Sequence, residues 1–135
     1  MPVRSRRSAR SGSVAVEFGL VALPLILLIF GIIEFGNLIW SQQTLEAALA
    51  TTSQYVFSNT TQSIATIEAA IPAQVKAAVT GLDPTQVTVA TSNNVDGNNV
   101  AFITISLTYP FTFFQVLGIN PATTILSASA TVPVQ

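Results

Sequence analysis

At 135 residues the chain has room for one small domain and one membrane segment. Half of it is apolar and only 8% charged, and the absence of Cys and His excludes disulfides, thiolate metal sites and histidine acid–base chemistry. Every arginine (Arg4, Arg6, Arg7, Arg10) precedes residue 12; beyond it Lys76 alone faces six acids, a net charge of −5, so no basic surface is left to bind nucleic acid. Six scattered carboxylates and one lysine point to a non-enzyme, with no catalytic residue, metal or cofactor.

Residues 1–12 are polar and basic, and their arginines favour the cytoplasmic side of a membrane. From Phe18 to Ile33 no residue is formally charged, and the flanking apolar residues bring the run to the ~20 needed to cross the hydrocarbon core. The expected topology is N-in, C-out, single-pass, with Glu34 near the outer interface. A span this short tilts little and thins the bilayer locally.

Three readings compete for this segment. A cleaved signal peptide needs a small-residue site just after its apolar run, but Ala48-Leu49-Ala50 lies well beyond it. Ser5-Arg6-Arg7 hints at a twin-arginine signal, yet Ser8-Ala9-Arg10 is not apolar. An uncleaved signal anchor is the second reading. The third accounts for Glu17, an acid that is costly at the inner end of a spanning helix unless it has a partner. Cleavage after Gly12 would free an α-amino group on Ser13, four residues before Glu17. In a stack of such helices the carboxylate of one copy could meet the ammonium of the next, fixing axial register.

The run Gly12-Ser13-Val14-Ala15-Val16-Glu17-Phe18 resembles a prepilin-peptidase site. Together with Pro24, the apolar run to Gly31 and the Glu34-Phe35-Gly36 that follows, it is similar to the TadE family. Those proteins are minor pilins, or pseudopilins, of the bacterial tight-adherence (Flp) type IV pilus system. The similarity covers residues 11–50, and Tyr109-Pro110-Phe111 and the stretch 126–130 share family features. The resemblance implies a leader, residues 1–12, removed by a prepilin peptidase. Glu17 and Phe18 would serve assembly and register, and Glu34-Phe35 would be a second acid–aromatic pair. Implied partners are the peptidase, other pilin and pseudopilin subunits, an inner-membrane assembly platform and the lipid bilayer. The implied location is the bacterial inner membrane, with incorporation into a pilus. Major pilins of that system tend to be shorter and nearly all helix, so a head domain argues for a minor or initiating subunit.

Pro24 removes one helical hydrogen bond and predicts a kink. Two readings fit it: ordinary membrane-helix proline, or a weak point that lets the helix stretch on extraction, as the resemblance implies. Beyond Glu34 the stripe Leu38, Leu45, Leu49, Thr52, Val56 predicts that the helix continues as a spine. Trp40 suits the interface belt. A helix over 14–57 would span ~66 Å.

The polar run 58–63 is the expected linker, dividing a membrane and spine helix (13–57) from an exported head (58–135). Ile64, Ile67, Ile71, Val75, Ala78 and Leu82 form a second helical stripe. Pro72 should kink it or start a fresh turn, and Gly81-Leu82-Asp83-Pro84 should end it. Strands follow: one from Val87, an Asn-rich turn with Asp96-Gly97, a second over 100–109 and a third over 123–132. The expected fold class is α+β and pilin-like: a long N-terminal helix, a second helix and a three-stranded antiparallel sheet packed on them. A head this small, without disulfides, should depend on the spine helix.

The apolar stretch 111–119 is poor solvated loop. Either it returns to the head's own core, or Phe111, Phe113 and Phe114 contact a neighbouring subunit. The competing function class is a signal-anchored exported binding domain that never enters a filament.

Overall fold

The computed structural model describes residues 8–113 and 122–134. In chain order it contains α1 (Ser8–Ser58), α2 (Ile64–Ala78), β1 (Thr88–Val95), β2 (Ala101–Thr112) and β3 (Thr123–Val134). The fold is α+β, with one antiparallel sheet in the order β1-β2-β3. Two compact units divide inside α1, at Gly36 and Asn37.

The first unit is helical wherever it is described, and it is apolar on every side. Leu20 is 75% exposed, Phe18 73% and Ile32 64%, so within this unit these side chains pack on no second element. A helix apolar all round needs either a protein interior or a membrane around it. Among the described residues α1 is the one helix long and apolar enough to cross a membrane, with a mean hydropathy of 2.6 in its most apolar window.

In the second unit apolar residues are sorted by face. Steps of three and four along α1 bury Leu45, Ala48, Leu49, Thr52 and Val56. Steps of four along α2 bury Ile67, Ile71 and Val75. Alternation along β2 turns Ile103, Ile105 and Leu107 inward, all fully buried, and Val132 and Val134 of β3 join them. These residues form one core cluster between the two helices and a single sheet face. Two small polar residues share the buried side of α1 by turning back on their own helix. Ser41 Oγ donates to the Asn37 carbonyl and Thr52 Oγ1 to the Ala48 carbonyl, each at 2.8 Å.

Ser63 is the N-cap of α2; its hydroxyl accepts from the Thr66 backbone N–H at 3.3 Å. The helix runs on through Pro72 and ends at Ala78, which departs from the expected end in two ways. Leu82, expected on the stripe, lies beyond the helix, half-buried against the core. Gly81 is not the cap: Val79 takes an extended backbone while its N–H bonds the Val75 carbonyl at 2.9 Å. The chain therefore leaves the helix before Gly81, whose φ of +85° serves the following turn. A Cβ there would also collide with the Trp40 ring.

The sheet is longer than its sequence pattern suggests. β1 continues through Asn93 and Asn94, where an Asn-rich turn was expected, and the turn proper is Asp96–Asn99. Asn99 N–H donates to the Asp96 carbonyl at 2.8 Å, Asp96 N–H to the Val100 carbonyl at 2.9 Å, and Asn99 sits at φ +63°. This is a three-residue hairpin loop closed by a left-handed residue, here Asn in place of the usual Gly. β2 likewise passes Tyr109 and reaches Thr112 through Pro110. Proline in a central strand is tolerated because β1 ends opposite Thr108. The donor that Pro110 lacks would have pointed to a side where no strand remains.

Candidate processing and assembly segment

Gly12, Ser13, Glu17 and Phe18 lie on exposed turns of α1. One helical turn separates Ser13 from Glu17, so their side chains share a face, and Ser13 Oγ donates to Glu17 Oε1 at 3.3 Å. The Glu17 carboxylate is thus already directed at residue 13. Pro24 sits within α1, whose helical assignment is unbroken across it. Glu34 is half-exposed and Phe35 is 60% exposed one residue on. In this unit only two carboxylates interrupt an apolar surface from Gly12 to Gly36.

Phe111 and Phe113 fall elsewhere, at the end of β2 in the second unit. Phe111 is buried at 9% exposure, and its ring meets that of half-buried Phe113 edge-on, centroids 5.1 Å apart at 77°. Phe113 N–H donates to the Ala122 carbonyl at 3.0 Å, extending the β2–β3 ladder by one pair. Phe114 and the rest of the apolar stretch, 114–119, lie outside the described residues.

The head offers little for chemistry. Among the described residues no three or more of His, Cys, Asp and Glu gather in one place. A shallow hollow of about 430 Å³ on the outer sheet face is lined by Phe102, Thr104, Thr131, Asn94 and the Asp96-Gly97 turn. Its one carboxylate is committed to the turn: Asp96 Oδ1 accepts from Gly97 N–H at 2.6 Å and Oδ2 from Asn98 Nδ2 at 3.4 Å. Asp83 is held below the ordinary carboxylate range by the Thr85 hydroxyl and backbone N–H and by the Gln86 amide.

Two contacts escape sequence reading altogether. Gln42 Nε2 donates both to Glu46 Oε1 at 3.0 Å and to the Ser127 carbonyl at 3.1 Å, tying α1 to β3. The benzo edge of the Trp40 ring abuts Gly81. In the sequence Gln42 reads only as polar helix surface, and nothing in Gly81 names a tryptophan 41 positions earlier.

No curated protein and no solved structure matches the chain. The TadE-like family is one of structural pilus components rather than enzymes. Over residues 12–53 the chain matches the family model described as TadE-like protein, and that segment marks it as consistent with a TadE-like protein of the Tad pilus system.

Proposed function

We propose that the chain is a minor pilin or pseudopilin, cut by a prepilin peptidase between Gly12 and Ser13 and engaged in assembling or initiating a Tad pilus. The observation that supports this most directly is the placement of Glu17 one turn from Ser13 on a helix with no apolar partner of its own. Before cleavage Ser13 carries a peptide N–H. Hydrolysis of the Gly12–Ser13 amide leaves a carboxylate on Gly12 and an ammonium on Ser13. That new cation needs an anion when helices pack in a low dielectric, and Glu17 of an adjacent subunit supplies it. An unpaired Glu17 would instead resist burial.

On this reading the arginine-rich leader stays cytoplasmic, the apolar first unit crosses the inner membrane, and the head stands outside. Pro24 gives the helix a point of compliance when it passes from bilayer to filament. Glu34-Phe35 marks the outer end of the span. The partners are the peptidase, neighbouring pilin-like subunits and the assembly platform.

The test is the intact mass and N-terminal residue of the protein taken from membranes with and without a prepilin peptidase. A start at Ser13 that depends on the peptidase is expected. Residues 1–12 intact in both samples would sink the proposal in favour of a signal-anchored binding domain.

A further inference from the structure

The head is unusually poor in charge. From Asn37 onward the charged side chains are Glu46, Glu68, Lys76, Asp83 and Asp96, and none lies in a strand. Sheets normally guard their outer strands with charge, bulges, proline or cover, because an open edge is a template for another chain.

Both outer strands here expose such a template. The Asp96–Val100 and Phe113–Ala122 bonds set the phase of the two ladders, and neither register contains a bulge. Antiparallel alternation then turns the main-chain groups of Val89, Thr91 and Asn93 outward from β1, and those of Ser127, Ser129 and Thr131 outward from β3. The phase is corroborated at Ser127, whose outward carbonyl accepts from Gln42. Among the described residues that is the sole hydrogen bond from another element to these six backbones. Pro133 lies on the same outward side of β3, where its missing N–H interrupts no bond to β2 but removes a donor from the edge, so the open stretch of β3 is 127–131.

We propose that the head binds a second copy of this chain by edge pairing, β1 of one copy against β3 of the next, continuing the sheet between subunits. Each of these strands is antiparallel to β2, so they run parallel to one another. A copy displaced sideways therefore presents β3 parallel to the β1 it meets, and every α1 keeps the same sense. Antiparallel pairing of two like edges would reverse one copy. Copies that share one orientation pair in the parallel sense, and that shared orientation is the point at which this inference rests on the reading above. Neither edge strand contains a charged residue to repel the other, and the one carboxylate at the β1 edge, Glu68, accepts from Asn93 Nδ2 at 3.5 Å.

The test uses the full chain in its membrane and exploits the absence of native cysteine. Ser92→Cys and Ser129→Cys place thiols on the outer sheet face of β1 and β3 respectively. Carried on differently tagged copies and treated with a short bis-maleimide, they should give a mixed-tag dimer that neither variant gives alone. Thr91→Pro removes an outward N–H while sparing the bonds to β2, and should abolish that dimer. Thr91→Lys, which puts a charge on the edge and keeps the backbone donor, should weaken it even if the proline variant folds poorly. Equal crosslinking within Ser92→Cys or Ser129→Cys alone would overturn the proposal. So would a dimer that survives both Thr91 changes, or no dimer at all. Leader removal, read by mass in the same samples, separates failure of edge pairing from failure of the pilin reading.

Discussion

The two units draw on the same apolar residues and put them to opposite use. Leu20, Leu27 and Ile32 of the first unit stand more than half exposed, whereas Leu45, Ile71 and Ile105 of the second are fully buried. Hydrophobicity alone therefore does not decide burial here; the pattern does. In the second unit apolar residues recur on one face of each element and can meet. In the first they occupy every face, as in a helix that sits in a protein interior or a membrane.

The largest expected effect comes from cutting the chain where that contrast begins. A fragment starting at Asn37 retains all of the core cluster and should melt cooperatively in circular dichroism. One starting at Ser58 loses Leu45, Ala48, Leu49 and Val56 and should show no cooperative transition. If the two behave alike, the α1 contribution to the core is energetically idle.

Single truncations sharpen the same contrast. Ile105→Ala opens a cavity in the sealed core and should cost ~2–5 kcal/mol in urea unfolding of the detergent-solubilised chain. Leu27→Ala, made in the exposed unit, should leave head stability unchanged under the same conditions. A comparable loss at Leu27 would mean that the head feels the first unit directly.

Next in size is Gly81→Ala. It forces an L side chain into a left-handed backbone, roughly 1–2 kcal/mol, and drives a methyl into the Trp40 ring. Trp40 is the sole tryptophan, so its fluorescence should shift as well. In a Trp40→Ala background the same change should cost less, since only the backbone component remains.

The smallest effect is the pH response of Asp83. Its folded pKa is depressed, so its contribution is fully present above the unfolded value and is lost as pH falls through the folded one. The side chain is fully exposed, so the effect should be slight. Melting temperature should fall marginally more on acidification for the native chain than for Asp83→Asn.

Much of this was legible in the residues because periodicity reports faces. The stripes of α1 and α2 and the alternation of β2 and β3 name most of the core. What periodicity does not report is partnership. Pro110 reads as a strand breaker until the neighbouring strand is known to have ended at Thr88, opposite Thr108. Asn93 and Asn94 read as turn residues, yet an edge strand with a solvated outer side accepts them. Gly81 reads as a helix cap, and its actual constraint is a ring contributed by a distant helix. At the processing segment, helical spacing alone places Ser13 and Glu17 on one face. The Ser13–Glu17 hydrogen bond adds a rotamer that no pattern encodes.

The hydroxyls of α1 have a consequence for how readily that helix changes surroundings. Ser41, Thr44, Thr51 and Thr52 each donate to the carbonyl four residues back, at 2.8–3.0 Å. A helix whose hydroxyl donors are engaged internally presents few groups that must surrender a water to enter a drier place. Moving these four hydroxyls from water to a packed environment strands none of their protons, whereas Ser53 Oγ on the same helix is buried with no hydrogen-bond partner. The saving is confined to those hydroxyls: Gln43, Glu46 and Gln54 of the same stretch stay exposed and would each have to give up water to enter a drier place.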